Sequence, residues 1–355
     1  MRVETLLPLG KLDPGLRASD MPLDIARVAH DARLVEEVGF DGLCVEETKD
    51  DPYQIMALAA STTSRISLST NIAMAFPRSP TITAMSAWSL AKLSRGRFVL
   101  GLGSQVRGHI VRRFGLEFHP VGPWMRDYVQ AVRAVWRCWQ EQKPLDYQGT
   151  HYKLSLMVPL FDPGPIAHPD IPIHIAAVNP VMCRIAGEVA DGIRVHPVCT
   201  PRYIREVMLP AAAEGARRSG RDAKAVAIAM KPLVCTAPDR ATLEKRVKDV
   251  RARVAFYCST PAYRATFDLH GLGGLADELA VLSKAQRWEE MPDRISDEVL
   301  DMYATVGTYD EIGRKLVQRY GGIVSDIEFS IPCTTPEERS TMQGLLKQLR
   351  TETAA

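Results

Sequence analysis

Eight short apolar, β-rich runs punctuate the chain, at residues 3–9, 40–45, 66–72, 98–102, 171–177, 192–195, 226–230 and 327–331, with room for a helix or a long loop between neighbours. The runs are nearly continuous in apolar residues rather than alternating, as parallel strands buried on both faces require. Helical stripes lie between them. Ile25, Val28, Ala29, Ala32, Val35 and Val38 form one, closed by Gly39; Val129, Val132, Val135, Trp136 and Trp139 form a second; Leu243, Val247, Val250, Val254 and Tyr257 form a third. Strand and helix alternating to a count of eight predicts an α/β fold, a (β/α)8 TIM barrel.

A barrel of this kind accommodates all 355 residues as one domain, 1–355, and no linker-like stretch divides it. Two stretches exceed the minimal barrel. Residues 144–172 carry Pro144, Pro159, Pro163, Pro165, Pro169 and Pro172 around a hairpin at 145–154 with Gln148-Gly149 at its turn. Residues 259–304 contain a helix-like piece at 272–285 and a charged stretch at 287–301. Both read as insertions at the C-terminal face of the strands, serving as lids or substrate walls or, alternatively, as oligomer contacts.

A formal charge of +2, from 44 basic and 42 acidic residues, argues against nucleic acid and against an anionic membrane, and leaves a small molecule as the partner. Seven cysteines (44, 138, 183, 199, 235, 258 and 333) are scattered without a close pair, so neither a zinc site nor a disulfide framework is expected. Reduced thiols suit a cytoplasmic protein. The first strand begins at Val3 without a charged and apolar leader, and no apolar run approaches membrane-spanning length. No metal site is expected, since Asp50 and Asp51 precede Pro52 and read as a helix cap.

Active sites of such barrels sit at the C-terminal ends of the strands. There the chain places Glu46-Glu47-Thr48, Thr70-Asn71-Ile72, Gly101-Leu102-Gly103-Ser104-Gln105, Ala176-Ala177-Val178-Asn179, His196 and Lys231, which should converge on one polar ring. Adjacent strand residues point to opposite sides, so only one of Glu46 and Glu47 can face the barrel axis. That one is a candidate acid or base; the alternative is a carboxylate held by a neighbouring Arg or Lys. Gly101 and Gly103 lack the spacing of a dinucleotide fingerprint but permit close backbone approach of a ligand. His109 follows on a loop, a place where histidines are commonly surface residues, and His174 is mid-strand and core-facing or hydrogen-bonded. Lys231 keeps open a non-redox lyase or hydrolase.

The segment TNIAMAFPRSPTITAMSAWSLAKLSRGRFVLGLGSQ resembles the strand-three to strand-four signature of the bacterial luciferase-like superfamily, and Ser94-Arg95-Gly96-Arg97-Phe98-Val99-Leu100-Gly101-Leu102-Gly103 matches its core. Residues 185–192 (IAGEVADG) and 306–312 (VGTYDEI) resemble two further family segments. Phe76-Pro77-Arg78-Ser79-Pro80 and Gly103-Ser104-Gln105 are most similar to the branch that uses the deazaflavin coenzyme F420.

That resemblance implies a flavin or deazaflavin ring across the mouth of the barrel, backed by a bulge in strand three with a non-prolyl cis peptide. The matching bond is Asn71-Ile72, with Thr70-Asn71 as the one-residue alternative. Gly103, Ser104 and Gln105 would line the coenzyme, and Ala177, Val178, Asn179 and Pro180 would approach its phosphate-bearing tail at a helix start. Many relatives end strand two in Asp-His, whereas this chain has Glu47-Thr48, and threonine is not an acid near neutral pH. Glu47 becomes the first candidate proton donor, and a contact of the coenzyme or substrate; His109 is the second. The implied activity is hydride transfer between F420 and a small organic substrate. An FMN-dependent monooxygenase on the same fold and a non-catalytic flavin-binding relative are the alternatives. A homo-oligomer, as a dimer, is implied by the family.

Overall fold

The computed structural model describes residues 1–10 and 22–351. All eight expected strands form: β1 (Arg2–Leu6), β2 (Gly42–Val45), β3 (Ser67–Thr70), β4 (Phe98–Gly103), β5 (Ile173–Ala177), β6 (Gly192–Val195), β7 (Ala227–Met230) and β8 (Asp326–Glu328). Each pairs in parallel with the next, and β8 pairs with β1 through Arg2↔Asp326, Val3↔Ile327 and Glu4↔Glu328, so the sheet closes. Closure removes every sheet edge and gives each strand a helix-facing and an axis-facing side.

The wall is α1 (Val28–Val38), α2 (Pro52–Ala60), α3 (Pro80–Ser94), α4 (Val121–Glu141), α5 (Pro180–Val189), α6 (Leu209–Arg218), α7 (Tyr309–Tyr320) and α8 (Pro336–Thr351). Local chemistry starts the helices sharply at the mouth. Asp51, Ser79 and Asn179 each cap a helix whose first residue is proline, accepting hydrogen bonds from Tyr53 N and Gln54 N, Ile82 N, and Met182 N respectively. Thr308 and Glu311 form a reciprocal capping box at the start of α7. The α1 stripe buries Val28, Ala32, Val35 and Val38, whereas Ile25 is exposed in a short turn before the helix.

The luciferase-like signature divides between the two ends of the barrel. Arg95 and Gly96 both take left-handed backbone angles, φ 54° and 81°, which stop α3. Arg97 then donates to the carbonyls of Ser94, Thr63 and Ile66, locking the opposite, N-terminal end. The mouth end receives Thr70 to Ile72 at the start of the signature and Gly101 to Gln105 at its close.

The two insertions behave differently. Residues 144–172 follow a helix, not a strand, so they leave from the N-terminal end and return along the outer wall. Trp88 Nε1 donates to Gly164 O and Gln140 Nε2 to Ile166 O. The hairpin strands are Tyr147–Gln148 and Lys153–Leu154, joined through residues 149–152 rather than by a tight turn at Gln148-Gly149. Buried Asp127 of α4 fixes it, accepting from Tyr147 OH and from the backbone N–H groups of His151 and Tyr152.

The second insertion does rise from a strand end, and it is longer than 259–304. A small parallel ladder, Leu233–Ala237 with Ala304–Thr308, lies outside the barrel and brackets the excursion. The stripe at Leu243 to Tyr257 therefore belongs to a helix of this excursion, Arg240–Cys258, and α7 is the wall helix before β8. Among the described residues no helix is long and apolar enough to cross a membrane.

Candidate active site

β2, β3, β7 and β8 bring charged and polar side chains together at the mouth. Lys231 Nζ, one residue past β7, lies 2.5 Å from Glu46 Oε1 and 3.3 Å from Glu328 Oε1. Glu328 also accepts from Asn71 Nδ2 at 2.7 Å and from Cys44 Sγ at 3.4 Å. Burial works against the Lys231 ammonium, but Glu328 and Glu46 outweigh it and raise its pKa above the ordinary lysine value. Beneath this cluster Arg194 of β6 is ion-paired with Glu4 of β1 and donates to Ser69 Oγ at 2.8 Å. Burial is the main influence raising the Glu4 carboxyl, with Arg194 opposing it. The barrel thus carries two stacked ion-paired layers, one enclosed and one facing the mouth.

Glu46 and Glu47 do point to opposite sides. Glu46 faces the axis; Glu47 turns outward, accepting from Met74 N at 2.6 Å and bonding Arg78 Nη1 at 2.8 Å. Arg78 in turn bonds Asp51 at 2.8 Å and lies over the Tyr53 ring. Glu47 is therefore held by a neighbouring arginine, the alternative posed for this pair by the sequence. His109 is exposed on the short helix Arg107–Arg112.

The Asn71-Ile72 peptide bond is cis, at the bulge between β3 and its continuation Ala73–Met74. Thr70 is fully buried, and its hydroxyl both donates to Gly101 O at 2.7 Å and accepts from Gly101 N at 2.9 Å, so it faces β4 rather than the mouth. The two glycines of β4 admit this bulge rather than a ligand alone. A Cβ at Gly101 would lie 1.9 Å from Thr70 O, and one at Gly103 would lie 2.3 Å from Ile72 Cδ1. The Ile72 side chain consequently packs against the Gly103 backbone. Ser104 is half-buried, and Gln105 adopts a left-handed φ of 60° with its Oε1 accepting from Val106 N.

On the far side, Ala177 is buried, Val178 half-buried, and Asn179 and Pro180 are exposed at the start of α5. This helix start offers fewer donors than expected for an anion. Pro180 has no N–H, Met182 N is taken by Asn179 Oδ1, and Cys183 N by Asn179 O, which leaves Val181 N.

An aromatic wall stands over β6 and β7. His196 stacks on Tyr263 at 4.3 Å and meets the edge of Tyr257 at 4.8 Å, both residues belonging to the excursion. Its Nδ1 accepts from Val198 N at 3.2 Å. Burial first, then the charges of Lys231 and Arg253, depress the imidazole to about 3, so it is neutral with its proton on Nε2. His174, deep in the barrel, is likewise depressed to about 3 by burial, with Arg194 and Arg2 contributing.

Glu328 and Tyr263 were not singled out by sequence, and Tyr257 only as the end of a helical stripe. Strand eight reads Ile327-Glu328-Phe329-Ser330-Ile331, and this alternation, which sets Glu328 on the face opposite Ile327, Phe329 and Ile331, is the signal that could have found it. The tyrosines come from an insertion without periodic strands, and only the position of the excursion hinted at their place in the site.

The ring as a whole sets an apolar contact, Ile72 on Gly103, beside hydrogen-bonding groups of both signs and a stacked aromatic wall. Such a surface fits a planar heteroaromatic ring carrying amide and carbonyl groups. Comparison with known proteins places the chain in a family. An uncharacterized protein of Mycobacterium tuberculosis is 42% identical over 307 residues, covering 86% of this chain and 90% of the relative. A second protein of that organism, provisionally named a coenzyme F420-dependent oxidoreductase, is 30% identical over 303 residues, covering 79% of this chain and 84% of the relative. The coenzyme F420-dependent tetrahydromethanopterin reductase of Methanopyrus kandleri superposes with a TM-score of 0.73 at 21% identity, covering 98% of this chain and 97% of that one. Residues 3–326 match the family model described as luciferase-like monooxygenase, and the chain belongs to that family as an enzyme of the luciferase-like class.

Proposed function

We propose that this enzyme transfers a hydride between coenzyme F420 and a small organic substrate. The observation that carries the reading is the convergence of the cis Asn71-Ile72 segment, Gly103 and the Glu46–Lys231–Glu328 cluster on one mouth, in a chain 30% identical to a relative named for that coenzyme. When bound, the deazaflavin supplies the hydride chemistry. Asn71, Ile72, Gly103, Ser104 and Gln105 would hold its ring, with Ala177 to Pro180 toward its tail. The aromatic wall of Tyr257, Tyr263 and His196 excludes water and orients an apolar substrate face.

Glu46, inside the ring, is placed to accept the proton that a substrate hydroxyl loses. The Lys231 ammonium, fixed between two carboxylates, offsets negative charge developing on the substrate oxygen. Glu47, tied to Arg78, and His109, on the rim, are the alternative proton carriers. Titration of the apo-protein with oxidised F420 and separately with FMN, followed by ligand fluorescence, tests the reading. Binding of F420 over FMN, with turnover lost in Glu46→Gln and kept in Glu47→Gln and His109→Gln, supports it. The family model is described as a monooxygenase, so an FMN-dependent oxygen-using enzyme is the second reading, and selective binding of FMN would replace the first with it.

A further inference from the structure

The enclosed Glu4–Arg194 layer takes no part in the chemistry at the mouth, although two charged groups are costly to keep inside a barrel. Side chains alternate along a strand, so Arg2 and Glu4 share one face of β1, and Asp326 and Glu328 share one face of β8. Glu328 faces the axis, where it meets Lys231 and Asn71, and Glu4 faces it to meet Arg194. Strand register sets Glu4 beside Glu328 and Arg2 beside Asp326, on strands about 4.8 Å apart. The β1–β8 seam is therefore a ladder of two charged rungs, running from the mouth to the opposite end of the barrel. At that end Arg2 Nε lies 3.6 Å from Asp326 Oδ1, and Arg2 Nη2 donates to Ser67 Oγ at 2.9 Å. The arginine side chain is 57% exposed and the aspartate 15%, so the lower rung meets solvent.

The inner face beside this seam is built of small and polar residues. A Cβ at Gly42 would lie 2.5 Å from Ser67 Oγ, and one at Gly192 would lie 2.6 Å from the His174 ring, so both glycines make room for polar side chains. Strand β7 adds only Ala227 and Ala229, the register partners of Gly192 and Arg194, where barrels ordinarily carry branched apolar residues. Two buried polar atoms belong to the same inner face, His174 Nδ1 and Arg194 Nε, and neither has a hydrogen-bond partner among the described residues. Enclosed water is what satisfies such atoms. Glu4 and Asp326 are offset by two residues along the seam, roughly 6.6 Å, a gap that such water bridges.

We propose that this seam is a proton path from the mouth to the far end of the barrel. The proton that Glu46 takes from a substrate hydroxyl moves on as the Lys231 ammonium gives one hydrogen to Glu328 and takes one from Glu46. Glu328 passes it to Glu4, and enclosed water carries it from Glu4 to Asp326 and out to solvent. Each carboxylate and the ammonium return to their starting states, so every substrate oxidised sends one hydride to the coenzyme and one proton through the barrel. The inference rests on the hydride-transfer reading for the origin of the proton. It meets a need of that reading, because a bound ring and the wall of Tyr257 and Tyr263 would close the mouth to water. Burial, opposed by Arg194, holds the Glu4 carboxyl above the ordinary range, which suits a group that must carry a proton for part of each cycle.

The test uses Asp326→Asn, which alters the solvent end of the ladder and leaves the Glu4–Arg194 pair in place. With F420 and cyclohexanol, kcat should fall at least ~10-fold at unchanged KM, and the solvent isotope effect on kcat should rise. Azide or imidazole, small enough to ferry protons at the altered end, should restore the rate. An unchanged kcat, or a loss that neither compound rescues, overturns the path and leaves the ladder a structural one. A measurement without coenzyme keeps this result separate from the fate of the hydride-transfer reading. In the ligand-free protein the Glu4 carboxyl carbon, followed by NMR, should titrate at lower pH in Asp326→Asn than in wild type, because a neighbouring negative charge is gone. Absence of turnover in wild type counts against the hydride-transfer reading and not against the seam, and the titration then decides alone. A shift supports the seam as the proton route of another reaction at this mouth; no shift removes it.

Discussion

Lys231 Nζ and Glu46 Oε1 meet at 2.5 Å across the mouth of the barrel, joining the end of β7 to the end of β2. The same ammonium reaches Glu328 on β8, so one cation fastens three strand ends and sets the charge of the ring from which chemistry would proceed. Glu46 and Glu47 are neighbours in sequence, yet one serves this cluster and the other serves Arg78 on the outside.

Lys231→Met should leave Glu46 and Glu328 facing each other without a counter-charge. Because the lysine side chain is 32% exposed and Glu328 only 9%, the loss should fall below that of a fully buried pair, at about 1–3 kcal/mol. Urea unfolding measures it. Lys231→Arg should recover most of the stability, and if turnover depends on the position of the charge it should recover less of that.

Stability should fall on acidification through His174. Its folded pKa, about 3, lies below the unfolded value of about 6.5, so the unfolded chain binds the extra proton first. The contribution is complete above pH ~6.5 and is lost progressively down to about 3, at up to ~1.4 kcal/mol per pH unit. Denaturant midpoints at pH 7, 6, 5 and 4 should show a shallower slope in His174→Phe; an unchanged slope would mean the imidazole does not titrate in this way.

The two glycines of β4 should respond differently to alanine. At Gly101 the new methyl meets the Thr70 carbonyl, part of a rigid strand, and the expected loss is about 3 kcal/mol or more, seen as failed or destabilised folding. At Gly103 it meets the Ile72 side chain, Cδ1 at 2.3 Å and Cγ1 at 2.6 Å, rather than backbone, and a change of rotamer can relieve it. Gly103→Ala should fold, with ligand affinity changed more than melting temperature.

Asp127→Ala should free the 147–154 hairpin. Three donors lose their acceptor, while the α4 core below, including Tyr128 and Val132, is untouched. Limited proteolysis should nick residues 149–152 before any global unfolding. Cleavage elsewhere first would show that the hairpin is held by other contacts, such as Trp124 Nε1 to Tyr152 OH.

The strands were legible because burial on both faces writes a short, mostly apolar run, and the helix starts because Asp51-Pro52, Ser79-Pro80 and Asn179-Pro180 state their geometry locally. The site was legible only as a set of strand ends. Which of Glu46 and Glu47 faces inward depends on the bulge at Asn71-Ile72 and on Arg78 arriving from the next loop, neither of which is local to β2. The meaning of Gly101 and Gly103 changed for the same reason: the close approach they allow is by Thr70 and Ile72 of the adjacent strand. The stripe in Arg240–Cys258 read as barrel wall because periodicity reports a buried face and not what it packs against.

The ladder of Leu233–Ala237 with Ala304–Thr308 bears on how such an enzyme can acquire new substrates. Chain leaves and rejoins the barrel through two strands already clasped together, so what lies between them behaves as a closed loop whose ends cost little more to join as it lengthens. The segment that supplies Tyr257 and Tyr263 is thereby a detachable cassette. Its sequence can be exchanged wholesale while the strands that seat the reactive ring keep their register.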